Sequence, residues 1–187
     1  MAVDIDLIRA YTDGFAATHT PGASITAPTN ATAALDVDFQ HVGAISSDGL
    51  TESTSQDHTD IFIWQNNALA RRVQGEYTKT FTFAAAETSL LNLGLQFPGS
   101  TVTPTTEGAS VAEKPPGSDI RAWVLQGLDG ATRAQRIYIP KGEITERGDV
   151  VWNSTNITVY EWTLSCYVDD AGVVAYRYYI DPDMATA

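Results

Sequence analysis

Histidine, cysteine, hydroxyl and carboxylate side chains are what this 187-residue chain offers for chemistry. His58 stands in Asp57-His58-Thr59-Asp60, residue types that can hold a divalent metal. A metal site needs three or four convergent ligands, and His19 and His41 lie far off, with no HExxH spacing. Serine, histidine and aspartate all occur, but no GxSxG places a nucleophile on a strand-to-helix turn. Neither GxxxxGK[ST] nor GxGxxG occurs, so neither nucleotide-binding loop motif is present. Glu161 falls within a strand pattern; as a glycosidase carboxylate it would need a partner about 5–10 Å away, and a solvated strand face is the simpler reading. Cys166 alternates with Trp162, Leu164 and Val168 and reads as a buried apolar filler. With no second cysteine there is no intrachain disulfide. The chain is expected to be no enzyme and to need no cofactor or metal.

Charge narrows the class further. The net charge is −12, with 23 acids against 11 Lys and Arg. A protein that grips a nucleic-acid backbone needs the opposite balance. The balance fits a soluble protein, or a surface meant to repel polyanions. No Lys or Arg occurs between Arg9 and Arg71. Arg71-Arg72 is therefore a basic pair in an acidic chain: ordinary surface charge, or a partner for acids on a neighbouring subunit. Three N-x-T sequons, at Asn30, Asn153 and Asn156, are chance in a Thr-rich chain without a signal-peptide pattern. No apolar run approaches 18 residues, so no membrane span is expected and the protein should be made in the cytoplasm.

The elements that must position these residues are mostly strands. Ile61-Phe62-Ile63-Trp64 is apolar on both faces and predicts a buried strand, followed by an asparagine turn at 65–67. Glu76 to Phe83 alternates, with Tyr77, Lys79, Phe81 and Phe83 on one face and Glu76 with three threonines on the other. Ala84 to Leu93 favours a short helix stopped by Gly94. Residues 1–34 read as an N-terminal arm: MAVDIDLIRAY could start a strand or helix, and the Ala/Thr/Gly/Pro stretch after it is extended. Leu35 to Ala44 predicts a half-exposed strand, and Ser46 to Asp60 a long polar loop. Residues 101–118 read as a second loop, with strands at 121–126 and 136–140 and a turn at Lys141-Gly142. Ile157 to Val168 should pair with Val173 to Ile180 as a hairpin, leaving 182–187 as a loose tail. Eight or nine strands and one helix predict a mainly β chain, a β-sandwich or barrel with one flanking short helix over residues 35–181.

Residues 25–99 of this pattern resemble the major tail tube proteins of long, non-contractile-tailed bacteriophages. The likeness rests on Ala27-Pro28-Thr29 running into a strand at Leu35-Asp36. It rests also on Val42-Gly43-Ala44-Ile45-Ser46-Ser47-Asp48-Gly49-Leu50-Thr51, with Ala44 where the family has an aromatic. The third mark is a Trp-containing apolar strand, a sheet strand, and a helix starting near Glu87.

The resemblance implies a β-sandwich whose subunits close into rings of six that stack into a tube for DNA ejection. It implies that the 46–60 loop and the arms reach neighbouring subunits. The expected contact set is Pro28, Ser46, Asp48, Gly49, Leu50, Glu52, Asp57 and His58, with Arg71 and Arg72. An acidic lumen would repel passing double-stranded DNA; Asp36, Asp38, Glu76 and Glu161 are its candidate acids. Implied partners are further copies of the chain and the tail terminator, tape measure and distal tail proteins. The alternatives are a tube protein of a contractile tail or secretion system, and a β-sandwich carbohydrate-binding module with exposed aromatics.

Overall fold

The computed structural model describes residues 7–20 and 24–184. Any element within residues 1–6, and the last three residues of the tail, lie outside the described residues. Ten strands and one α-helix make up the described chain. They are β1 (Asp13–His19), β2 (Phe39–His41), β3 (Ile45–Phe62), β4 (Leu69–Ala85), α1 (Leu90–Gln96), β5 (Thr101–Thr105), β6 (Gly108–Ala112), β7 (Ile120–Asp129), β8 (Arg133–Arg147), β9 (Tyr160–Tyr167) and β10 (Tyr176–Ile180). Eight form one antiparallel sheet in the order β2-β1-β7-β8-β9-β4-β3, with β10 also on β8; β5 and β6 form a separate hairpin. The fold is mainly β and sandwich-like, with a single flanking helix.

The main sheet curls around one core. Phe81 and Phe83 of β4, Trp123 and Leu125 of β7, Ile137, Ile139 and Ile144 of β8, and Tyr160, Trp162 and Leu164 of β9 meet there, with Leu95 of α1. Phe83 sets its ring edge-on to Trp123 and Trp162, at 6.1 and 5.8 Å between centroids. β7 and β8 are buried on their other face too. There Ala122, Val124 and Tyr138 pack with Ala17, Phe39, Ile25, Leu35, Tyr176 and Tyr178.

Several expected elements are corrected. The 46–60 loop is a strand: β3 runs through it, paired with β4. The arm over 1–34 contains β1, which lies inside the sheet between β2 and β7, and a segment that covers the second core. Only Phe39–His41 of the 35–44 strand is in the sheet. The second loop, 101–118, holds the β5–β6 hairpin. Tyr176–Ile180 pairs with β8 instead of β9, because β8 is long enough to take β9 on one half and β10 on the other.

The helix is shifted to Leu90–Gln96. β4 continues to Ala85, which pairs with both Ile45 and Tyr160, so two ladders override alanine's helix preference. Ser89 then caps α1, its Oγ accepting from the Asn92 N–H at 3.1 Å, and Gly94 lies within the helix. Arg147 closes the other end, its Nε and Nη2 donating to the Leu95 carbonyl at 3.1 and 3.0 Å.

Gly142 is not at a turn. It lies inside β8, where an added Cβ would sit 2.9 Å from Trp123 and 3.1 Å from Leu164. Gly43 has φ +83°, and a Cβ there would strike the Glu87 carboxylate, which accepts from the Ala44 N–H at 2.7 Å.

Candidate assembly surface

β3 and β4 form the longest hairpin of the chain, and only its base is supported. β9 pairs with β4 from Thr80 to Ala85. Beyond Lys79 the two strands pair only with each other among the described residues. At about 3.4 Å per residue, the ten steps from Lys79 to Leu69 project roughly 34 Å. The tip turns at Gln65–Asn67, where Asn66 and Asn67 take left-handed φ values of 59° and 50°.

The apolar run that reads as a buried strand is instead at this tip. Ile61, Phe62, Ile63, Leu69 and Val73 are exposed, and Trp64 is 98% exposed. Apolar sequence dictates burial, but not by which chain. A contiguous exposed patch of this kind marks an interaction site. Trp152, on the connection between β8 and β9, is also bare, at 87%.

The hairpin's base is held by a charged knot. Lys79 is buried on the core face of β4, beside Phe81. Its Nζ donates to Glu52 of β3, and to Thr54 Oγ1 at 2.6 Å. Arg177 of β10 donates to the same Glu52 carboxylate. Burial would raise the Glu52 pKa, but the hydrogen bonds from Arg177 and Lys79 outweigh it and hold the carboxyl below the usual range. β10 has no backbone pairing with β3 or β4, and Glu52 ties the hairpin directly to β10 through Arg177.

The expected contact residues fall into three places. Ser46, Asp48, Gly49, Leu50 and Glu52 lie along the base of β3, beside a cavity of about 730 Å³ that Tyr11, Leu125 and Ile137 line from the other side. Asp57, His58, Arg71 and Arg72 lie on the projecting half. Arg72 grips Asp60 two-handed, with Nε and Nη2 at 2.6 and 2.9 Å from its oxygens, and its hydrogen bonds lower the Asp60 pKa. Arg71 faces the opposite side with Ile61 and makes no ion pair among the described residues. Pro28 is apart from all of these, buried within its own chain.

The candidate lumen acids separate too. Strand parity places Glu76, Thr78, Thr80 and Thr82 of β4 on the face opposite the core. Register then adds Thr51, Ser53 and Ser55 of β3, and Glu161, Thr163 and Ser165 of β9. Glu143 of β8 pairs with Ser165 and joins them. Glu76 and Glu161 thus share one hydroxyl-rich, acidic sheet face. Asp36 and Asp38 do not: they precede β2 at the far edge, where the Asp36 carboxylate accepts from the Thr26 and Asp38 N–H groups at 2.9 and 3.2 Å.

Sequence reasoning missed Glu52 with Arg177, since ion pairs between distant strands leave no local pattern. It missed the knot at the chain ends as well, where Arg9 and Arg133 engage Asp181 and Asp183. Cys166 is mostly buried, and its thiol is pushed up to about 12 by that burial. Among the described residues no group of three metal-ligating side chains occurs, and no helix is long and apolar enough to cross a membrane.

No curated protein matches the sequence. Among solved structures, a chain of the virion of a native gene transfer agent particle is similar over 78% of this chain and 91% of its own, at 11% identity and TM-score 0.43. A chain from the sheath/tube terminator of an extracellular contractile injection system, in its extended state, is similar over 93% and 99%, at 9% identity and TM-score 0.46. The sequence itself matches the phage tail tube protein model from residue 2 to residue 187, and the chain therefore belongs to the phage tail tube protein family, whose members are structural components of the virion tail.

Proposed function

We propose that this chain builds the tail tube by closing into six-membered rings that stack, with the β3–β4 hairpin as the main contact between copies. The observation that carries this reading is the hairpin itself: a two-stranded ribbon that its own subunit leaves unsupported and apolar at the tip. A free ribbon of this kind is marginal in water and gains order by docking. Trp64 is its natural anchor, since buried Trp residues dominate interface energetics. The acidic, hydroxyl-rich face bearing Glu76, Glu161 and Glu143 lines the conduit. Double-stranded DNA passes it without specific binding, because carboxylates repel phosphate and release no counterions to hold it. The tail terminator, tape measure and distal tail proteins are the partners at the ends and inside of such a tube.

Negative-stain electron microscopy of the purified protein over a concentration series, with light scattering on the same samples, tests this reading. Rings or hollow tubes are expected, and removal of residues 62–68 should abolish them without unfolding the subunit. Assembly that is unimpaired by that deletion would refute the hairpin's role. A monomer at every concentration, together with glycan binding quenched at Trp64 or Trp152, would favour the carbohydrate-binding alternative.

A further inference from the structure

Arg136 of β8 is almost fully buried, yet no carboxylate among the described residues lies within ion-pair distance of it. Its Nε donates to Gln126 Oε1 at 2.7 Å, and its Nη1 to the Asn30 and Ala33 carbonyls at 3.1 and 2.7 Å. These three bonds satisfy part of a guanidinium's five donors and none of its charge. No hydrogen bond from Nη2 accompanies them. Burial without a counter-charge pulls the Arg136 pKa down.

Arg136 lines a cavity of about 580 Å³, bounded by the 31–32 turn, the β7–β8 turn and the end of β10. Arg133 and the hydroxyl-bearing Thr32 and Thr132 line it as well. The lining includes two arginines and no Asp or Glu. In a chain with 23 acids and 11 Lys and Arg, that local inversion is notable. Arg133 is engaged by Asp183 and Asp181. Arg136 is the charge left to be neutralised.

We propose that this cavity binds an oxyanion, a carboxylate or phosphate group that accepts from Arg136 Nη2, with the Thr32 and Thr132 hydroxyls as further donors. A guanidinium's forked donors suit both oxyanions. The group comes either from a small free anion or from an acidic side chain of a second copy of the chain.

Thermal unfolding of the intact subunit in inorganic phosphate, at ionic strength matched with chloride, tests the site. At tenfold excess over its Kd, phosphate should raise Tm by roughly 3–6 °C, and the rise should saturate. Arg136→Gln should lose the response. Because Arg136 also holds the 30–33 turn, that variant can fail to fold. Thr132→Glu supplies a carboxylate from within the chain, and should retain the fold while abolishing the phosphate response. Assembly in the same phosphate series separates the sources: inhibition identifies a neighbour's carboxylate, and unchanged assembly a free anion. Absence of a saturable shift, or an equal shift in Thr132→Glu, would overturn the proposal.

Discussion

Replacing Glu52 by glutamine should loosen the β3–β4 hairpin at its base. The substitution preserves size but removes the carboxylate that Lys79 and Arg177 share. Lys79 is left buried without its counter-charge, with Arg177 as a like-charged neighbour. Breaking a fully buried pair costs about 3–5 kcal/mol. The Glu52 side chain is 36% exposed, so solvent screens part of this, and about 2–3 kcal/mol is the expected loss. For a chain of this length that lowers Tm by roughly 4–12 °C. The loss has a pH signature. Glu52's pKa is depressed in the folded state, so its contribution is present above the unfolded value of about 4.3 and is lost as pH falls through the folded value. Wild type and variant should therefore differ fully at pH 6 and converge only in more acid solution, as pH falls through the depressed folded value of Glu52. Urea denaturation across pH gives the energies, and hydrogen exchange on residues 53–78 shows whether the hairpin is what loosens. A variant within about 0.5 kcal/mol of wild type at pH 6 would refute the argument.

Trp64→Ala should leave subunit Tm unchanged, because Trp64 touches almost nothing in its own chain, but cost about 2–4 kcal/mol per contact in assembly measured by light scattering. Gly142→Ala should lower Tm by overpacking against Trp123 and Leu164, at about 1–3 kcal/mol. Cys166 should resist alkylation by iodoacetamide at pH 8 in the folded protein and react after denaturation, as mass spectrometry would show, since its thiol titrates at about 12. The double reversal Glu76→Lys, Glu161→Lys should introduce salt-sensitive retention of DNA in assembled protein, read by filter binding; if both residues face away from the conduit, retention will not change.

The sequence was readable where one chain's own burial set the pattern. Phe81 and Phe83 in β4, and Tyr160, Trp162 and Leu164 in β9, alternate because one face of each strand meets the core. Ser46 to Asp60 has no such alternation, since neither face of the projecting ribbon is buried in the subunit, and it reads as a loop although it is a strand. Ile61 to Trp64 carries the opposite error: its apolarity is real, but nothing among the described residues covers it. β1 was hidden by size. Ala16 and Ala17 are fully buried in a tight sheet, and small residues give little hydrophobic signal. Glu76 and Glu161 were found by strand parity, whereas Arg136 needed the fold to bring the 30–33 turn over β8.

The distribution of charge along the hairpin also governs symmetry. β3 carries Asp48, Glu52, Asp57 and Asp60 and no Lys or Arg, whereas β4 carries Arg71, Arg72, Lys79 and Glu76; Asp60 already takes Arg72 and Glu52 takes the buried Lys79, so Arg71 is the ribbon's cation without an ion pair among the described residues. Two β3 edges laid side by side would repel, so an isologous dimer through that edge is disfavoured. An acidic β3 meeting Arg71 on another copy's β4 would be attracted. Contacts of that kind are heterologous, and each one leaves both of its complementary surfaces open on the outer subunits. In the proposed assembly, a chain that discourages the two-fold pair and favours head-to-tail addition would grow until rotation closed the series, which is the geometry a ring requires.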